Sequence, residues 1–417
     1  MHITTHLDLD VIAVEGPEQV SLLVELTAPT VESATDREPS TLVVVLDRSG
    51  SMAGERLEGA KHALITLLDR LDPTDRFGLV TFDDSVELVV PSGPLTDKAA
   101  VRAQIAAIHA GGSTDLSAGY LRGLQEARRT AGPAGATVLL VSDGHANAGV
   151  TDPVKMGEVA AKGYAKSITT STLGFGLGYD ESLLGALARG GSGSELFAEH
   201  TDEAVAAIAG EIDGLLSQSA QAATLHIRMR PACRAVRLVN DLPTTATNEG
   251  VLVELGTFYS GENRKLVLTF DVPGMPALGL AEVASLDFTW VELPGLVQHS
   301  VTVPVHVNVV PGDEAAGRIP DILVRTELAF QETQVAKRRA TGHLSRGETG
   351  AALSELRRAR DIAMEACAAC PEDVSLRDEV DMVGLLLQEA EYGDVSRAAK
   401  LSSADSSFKS RTRGRSA

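Results

Sequence analysis

Three segments of the sequence place carboxylates and hydroxyls directly after apolar stretches or in a glycine-rich loop. Asp47, Ser49 and Ser51 follow the β-branched run 41–46, Thr114 lies in a glycine-rich loop, and Asp143 follows the apolar run 136–142. Carboxylate and hydroxyl oxygens are ligands of hard divalent cations such as Mg²⁺. The set contains neither His nor Cys, which disfavours zinc, copper and iron–sulfur chemistry. These residue types therefore predict an oxygen-lined cation site.

The elements that must position these side chains alternate between strand and helix patterns. A continuous apolar run, typical of a strand buried on both faces, occurs at 41–46, and further strands are predicted at 77–82, 136–142 and 168–175. Segments with helical spacing separate or follow them, at 56–71, 98–108, 116–129, 153–166 and 202–219. This alternation predicts a doubly wound, mostly parallel α/β sheet over residues 38–219. Ligands of such sheets bind beyond the carboxyl ends of the strands, where the oxygen-bearing residues lie.

The remaining sequence divides into regions of different pattern. Residues 220–312 contain short strands separated by Gly, Pro and Asn, which indicates a β-sandwich. Residues 313–400 have helical spacing, and 401–417 form a locally basic tail that we expect to be disordered. The N-terminal strands within 1–37 have no partner of their own, so we expect them to pair into the sandwich, with the α/β block inserted. Two independent domains in series is the alternative layout.

The three motifs together resemble a known metal site. Asp47-x-Ser49-x-Ser51, Thr114 within GGSTDL and Asp143 within LLVSDG are similar to the metal-ion-dependent adhesion site (MIDAS) of von Willebrand factor A (VWA) domains. The arrangement beside a β-rich region resembles a bacterial subset of this family. The resemblance implies a doubly wound sheet with the ion at its top. It also implies direct coordination by the serines and the threonine, aspartates that act largely through water, and an open position filled by an acidic side chain of a partner.

The function that we expect is metal-dependent binding of a partner protein that presents Asp or Glu. The cofactor is expected to be Mg²⁺, with Mn²⁺ or Ca²⁺ as the other candidates. A catalytic role is disfavoured because Ser49 stands where aspartyl phosphotransferases carry a second Asp. Three alternatives stay open: an adaptor for an AAA+ ATPase or chaperone, a metal-dependent hydrolase, and a structural protein whose site is empty.

Several other residues near these motifs have two interpretations. Arg48 is bulkier than the residues usual at its position and could shield or neutralise the site. Asp115 is either an outer partner of the cation or an acid at a helix N-terminus. His145 is expected at the rim of the site. Cys367 and Cys370 have CxxC spacing without a second pair, which favours reduced thiols at a helix end.

Composition excludes some classes of partner. The 417 residues include 37 Lys plus Arg and 57 Asp plus Glu, giving a formal net charge of −20. Such an acidic surface repels phosphate backbones, so we expect no nucleic-acid binding. No apolar run is long enough for a membrane span, the first residues lack a signal-peptide pattern, and three cysteines do not suggest a disulfide framework. These features predict a cytoplasmic protein.

Overall fold

The computed structural model describes residues 1–14, 16–30, 39–275 and 278–412, with side chains as far as 410. The chain divides into two compact units. One contains the described residues between Val31 and Gln221 together with Glu292–Val297. The other contains Met1–Thr30, Ala222–Val291 and the described residues from Gln298 onward.

The chain begins with three strands of the second unit. These are β1 (His2–Leu7), β2 (Val11–Ala13) and β3 (Glu18–Thr27). β1 and β3 pair antiparallel, with His2 opposite Thr27 and Leu7 opposite Leu22. β3 alternates little in burial, because most of its residues face protein on both sides.

Strands and helices alternate through the first unit, as the sequence predicts. In chain order they are β4 (Thr41–Asp47), α1 (Glu55–Arg70), β5 (Arg76–Phe82), β6 (Val86–Pro94), α2 (Lys98–Ala106), α3 (Leu116–Thr130), β7 (Ala136–Ser142), α4 (Pro153–Tyr164), β8 (Ile168–Phe175), α5 (Glu181–Gly190), β9 (Ser192–Ala198) and α6 (Thr201–Leu216). The six strands form one sheet in the order β6-β5-β4-β7-β8-β9. All neighbours are parallel except β6, which pairs antiparallel with β5.

Helices cover both faces of this sheet. On β4, Leu42, Val44 and Leu46 pack with α1, α2 and α6. Val43 and Val45 point the other way and pack with α3, α4 and α5. A strand that is buried on both faces has to be apolar at every position, which explains the continuous apolar run 41–46. The Rossmann-like α/β fold is thus confirmed.

The second unit contains two further sheets. Its later strands are β10 (Gln218–Met229), β11 (Ala235–Leu238), β12 (Thr244–Thr247), β13 (Gly250–Tyr259), β14 (Asn263–Val272), β15 (Gly279–Glu292) and β16 (Val297–Val310). The strand orders are β1-β3-β14-β11 and β12-β13-β10-β15-β16-β2. β3 therefore shares a sheet with β14, which follows the α/β unit in sequence. A sandwich formed by these sheets, and the domain boundaries, stay predictions.

A helical region ends the chain, as expected. It consists of α7 (Gly312–Ala315), α8 (Ile322–Leu344), α9 (Thr349–Ala369), α10 (Val374–Tyr392) and α11 (Val395–Thr412). Val324 of α8 packs on Leu23 of β3 and Val267 of β14. Within the described residues, no helix is both long and apolar enough to cross a membrane.

The prediction of a disordered tail over 401–417 is wrong as far as Thr412, where α11 ends. Lys409 is not a solvated charge: its Nζ lies 2.6 Å from Glu379 Oε2 and 3.0 Å from Asp405 Oδ1. The carbonyl oxygen of Ser410 accepts a hydrogen bond from Asn240 across 2.9 Å. These contacts stabilise α11 even though its sequence is polar. Residues 413–417 lie outside the described part of the chain.

Candidate metal centre

The centre lies at one edge of the α/β sheet because two neighbouring parallel strands end there. Leu46 of β4 pairs with Val141 of β7, so the residues that follow these strands emerge side by side. Asp47 is the last residue of β4, and Asp143 comes directly after β7. Both carboxylates are buried. Sheet register therefore brings together two acidic residues that are distant in sequence.

The Asp47 carboxylate is held by hydrogen bonds to both of its oxygens. The backbone N–H of Ser49 donates to Oδ1 across 2.8 Å, and the hydroxyl of Ser142 donates to Oδ2 across 2.7 Å. Burial raises the pKa of Asp47, these hydrogen bonds oppose the rise, and the charge of Asp143 adds to it. A nearby cation would favour the ionised form of this carboxylate.

Two serine hydroxyls connect the turn after β4 to Asp143. Ser49 Oγ and Ser51 Oγ lie 3.1 Å apart, and Ser51 Oγ donates to Asp143 Oδ1 across 2.7 Å. The structure thus brings Ser49, Ser51 and Asp143 into one chain of oxygen atoms. Oxygen donors of this kind fit Mg²⁺, which is commonly held by one or two carboxylates and keeps some of its water.

The loop that carries Thr114 is fastened to the same turn through its backbone. Gly50 N–H donates to the carbonyl of Gly112 across 3.1 Å. The Thr114 side chain is buried, and its carbonyl oxygen accepts hydrogen bonds from the N–H groups of Asn147 and Ala148, at 3.0 and 3.2 Å. Thr114 is therefore positioned between the segment after β4 and the segment after β7.

Two arginines near the turn have different partners. Arg48 pairs with Asp83 (Nε to Oδ2, 3.2 Å), which follows β5, and with Glu87 (Nη1 to Oε2, 2.6 Å), which lies on β6. These two carboxylates engage the Arg48 guanidinium, which disfavours a role for Arg48 in neutralising Asp47 or Asp143. Arg56 is the arginine that reaches the site: its Nη1 lies 2.6 Å from Asp143 Oδ2. Sequence reasoning missed Arg56 and also Ser142, the hydroxyl donor to Asp47.

Comparison with known proteins identifies the domain that carries these residues. The profile of the von Willebrand factor type A domain matches residues 41–211. Residues 41–211 of this chain form a VWA domain. The matched segment begins with β4 and ends within α6, so it coincides with the α/β sheet and its helices. The resemblance to this family is confirmed.

Relatives match parts of the chain. The uncharacterized protein sll0103 of Synechocystis is 29% identical over 261 residues, which cover 59% of this chain and 61% of that protein. Human inter-alpha-trypsin inhibitor heavy chain H4 is 30% identical over 162 residues, covering 36% of this chain and 17% of that protein. The chain thus spans less than two thirds of the length of these relatives.

Solved structures share the fold over nearly the whole chain. The von Willebrand factor type A protein from Catenulispora acidiphila superposes with a TM-score of 0.74 at 16% identity, covering 99% of this chain and 97% of that one. The ArnB paralog VWA2 from Sulfolobus acidocaldarius gives a TM-score of 0.69 at 17% identity, covering 99% and 98%. At these identities the likeness concerns the fold alone.

Two residues of the VWA domain near the centre have structural partners. Asp115 Oδ1 accepts hydrogen bonds from the N–H of Ala118 (3.0 Å) and the hydroxyl of Ser117 (2.8 Å), so Asp115 caps the N-terminus of α3. The geometry therefore favours Asp115 as an acid at a helix N-terminus over Asp115 as an outer partner of the cation. His145 is exposed, and its Nδ1 lies 2.8 Å from the carbonyl oxygen of Gly178; its place at the rim of the site stays a prediction.

The cysteines form no second centre in the described residues. Cys233, Cys367 and Cys370 are free thiols. Cys367 packs against the cluster that contains Phe330 and Leu376. Throughout the described ranges, no three His, Cys, Asp or Glu side chains come together in a group that could hold a metal ion. The oxygen-lined edge of the VWA sheet, with its two carboxylates, remains the candidate centre.

Proposed function

We propose that this protein is a metal-dependent interaction module that binds an acidic side chain of a partner protein. Its residues for the cation are Asp47, Ser49, Ser51, Thr114 and Asp143. The cation proposed is Mg²⁺, with Mn²⁺ and Ca²⁺ as the alternatives. The observation that carries the proposal is the unbroken contact from Ser49 Oγ through Ser51 Oγ to Asp143 Oδ1.

The arrangement of the oxygen atoms favours a binding site for a hard cation over a turn whose hydroxyls have only a structural role. Ser49 and Asp143 are buried at the end of the sheet, and their oxygens lie close to the hydroxyl of Ser51, a residue that is itself exposed. A turn that only needed caps would use hydroxyls to satisfy backbone N–H groups. Here two hydroxyls contact each other and a carboxylate instead. Asp47 keeps its own oxygens fixed through Ser142 and the Ser49 N–H.

A bound divalent cation would supply positive charge that attracts a carboxylate from outside the domain. The chain's own residues would bind and orient this charge at an accessible edge, next to the exposed Ser51. VWA domains commonly mediate metal-dependent protein interactions, which supports the assignment. A non-enzymatic role is supported by the position of Ser49, where an aspartyl phosphotransferase would need a second carboxylate.

Isothermal titration with MgCl₂ and MnCl₂ tests the cation site directly. Wild-type protein should bind one divalent ion, and the double variant Ser49→Ala/Ser51→Ala should bind it at least tenfold more weakly, because two neutral oxygen ligands are lost. Asp69→Ala is the matched control, since Asp69 lies on α1 and pairs with the exposed Arg102. Absence of heat from wild-type protein at millimolar metal would disprove the proposal.

Partner binding is tested by affinity capture from the native host in MgCl₂ or EDTA. Proteins retained by wild type should be lost in EDTA and with Asp47→Ala, and retained with Asp69→Ala. Replacing the exposed Asp and Glu residues of a captured partner by Asn and Gln, one at a time, should identify one whose loss abolishes binding. Capture that survives both EDTA and Asp47→Ala would contradict the mechanism.

A further inference from the structure

Arg56 lies in the first turn of α1 and reaches the candidate centre from the side. Its Nη1 is 2.6 Å from Asp143 Oδ2 and 3.3 Å from the carbonyl oxygen of Ser51. The Arg56 side chain is 43% exposed, whereas that of Asp143 is fully buried. The contact therefore joins a buried carboxylate to a guanidinium that is accessible at the edge of the sheet.

The two oxygens of Asp143 have different partners. Oδ1 accepts from the Ser51 hydroxyl, and Oδ2 accepts from Arg56. A side-chain cation thus already neutralises one of the two carboxylates of the centre. Arg48, the neighbouring arginine, is engaged by Asp83 and Glu87 and makes no ion pair with Asp47 or Asp143 in the described structure.

We infer that Arg56 is a built-in counter-ion of the cation site, which weakens binding of the metal and strengthens binding of the partner's carboxylate. This inference rests on the proposed function. With a divalent cation, two carboxylates and Arg56, the centre has a net charge of +1, and without Arg56 it would be neutral. The chain as a whole carries −20, so it repels acidic partners, and a local positive charge matters for their docking.

The positive charge of Arg56 has the opposite effect on the affinity for the metal ion, which it lowers. Arg56 repels an incoming divalent ion and competes with it for Asp143. Removing the guanidinium while keeping the alkyl stem, as in Arg56→Met, should therefore tighten metal binding and loosen anion binding. A residue that merely held Asp143 in position would behave differently, because its loss would weaken both.

Titration with MnCl₂, with free Mn²⁺ followed by electron paramagnetic resonance, measures the first effect. Arg56→Met should bind Mn²⁺ about three- to tenfold more tightly than wild type, the range expected for one partly exposed charge. Arg56→Lys should resemble wild type because it keeps the charge. Arg70→Met is the matched control: Arg70 lies on the same helix, is 40% exposed and pairs with Asp213 instead.

The second effect is measured on Mn²⁺-loaded protein with acetate as the carboxylate probe. Paramagnetic relaxation of the acetate methyl protons reports binding beside the ion. Arg56→Met should bind acetate about three- to tenfold more weakly than wild type, with Arg56→Lys and Arg70→Met unchanged. In EDTA, Arg56→Met should also unfold at a lower temperature than Arg70→Met, because the buried Asp143 has lost its cation.

The outcomes separate this inference from the proposed function. If wild-type protein binds no Mn²⁺, both are wrong. If all four proteins bind Mn²⁺ and acetate equally, the proposed function stands and the inference about Arg56 is overturned. Weaker binding of both Mn²⁺ and acetate by Arg56→Met would also overturn it, since Arg56 would then only position Asp143. Tighter metal binding with weaker acetate binding supports the inference.

Discussion

The hydroxyl of Ser51 donates a hydrogen bond to Oδ1 of Asp143 across 2.7 Å, although 92 positions separate the two residues in sequence. Parallel pairing of β4 with β7 makes this contact possible, because it sets the two strand ends side by side. The contact also orients the hydroxyl toward a carboxylate that is buried at the sheet edge. Substitutions at this position should therefore affect the centre without disturbing the sheet.

The single variants Ser49→Ala and Ser51→Ala should each weaken Mg²⁺ binding about tenfold, because each removes an oxygen next to a charged group. Ser51→Ala should lower thermal stability only modestly, because Asp143 loses one hydrogen bond but keeps its ion pair with Arg56. Calorimetric titration and thermal unfolding in EDTA give the two quantities. Ser217→Ala serves as the control, because that hydroxyl donates to the Gly214 carbonyl at the end of α6. Equal metal affinity in all these proteins would exclude the serines as ligands.

The position of the Thr114 loop depends on Gly112, whose φ is +57°. A Cβ there would lie 2.7 Å from Asp84 Oδ1 and 2.9 Å from Asp83 Cβ. Gly112→Ala should therefore destabilise the VWA domain by about 1–3 kcal/mol through strain and close contact, and should also weaken metal binding by shifting Thr114. Urea unfolding followed by circular dichroism measures the stability change.

The adjacent Gly111 offers a stringent comparison. A Cβ on Gly111 would have Asp83 Oδ2 as its nearest neighbour, at 3.6 Å, which is an ordinary van der Waals distance. Gly111→Ala should change the free energy of unfolding by no more than about 0.5 kcal/mol. If the two variants were equally destabilised, the special backbone conformation of Gly112 would not be the cause.

The α/β sheet, and the edge of it that carries the candidate centre, could be predicted because both follow from short stretches of the sequence. The run 41–46 is apolar at every position, and the structure shows Val43 and Val45 in one core and Leu42, Val44 and Leu46 in the other. Asp47 ends β4, so its place at the carboxyl edge follows from chain direction alone. The contact of Ser49, Ser51 and Asp143 follows from the same rule.

The roles of Arg56 and Ser142 could not be predicted because they depend on distances between elements. Arg48 and Arg56 both lie close to the serines in sequence, and only the structure shows which one faces Asp143. The polar sequence of 401–417 predicts a disordered tail, whereas the structure has a helix as far as Thr412. This helix depends on ion pairs with residues far away in sequence, such as Lys337 with Asp405.

Four charged side chains form a buried network among α8, α10 and α11. Lys337 contacts Glu379 Oε1 at 2.7 Å and also Asp405, while Lys409 contacts the same two carboxylates. Lys337 and Glu379 are fully buried. Burial opposes ionisation of Glu379, but the attraction of Lys337 and Lys409 outweighs it and holds the pKa of Glu379 at about 2. Lys337→Met should therefore destabilise the helices by on the order of 3 kcal/mol.

This network predicts acid sensitivity of the C-terminal helices. A carboxyl whose pKa is lower in the folded state stabilises the fold above its unfolded value of about 4.3, and this contribution is lost as the pH falls toward 2. Hydrogen exchange, corrected for intrinsic rates, should show protection in α10 and α11 decreasing across this range. In Glu379→Gln the loss of protection between these pH values should be smaller. Its C-terminal helices should already be less protected than those of wild type at neutral pH. Arg357→Met is the control, because it breaks only an exposed pair with Glu391, and it should behave as wild type. If Glu379→Gln lost as much protection as wild type when the pH falls, Glu379 would not be the cause of the acid sensitivity.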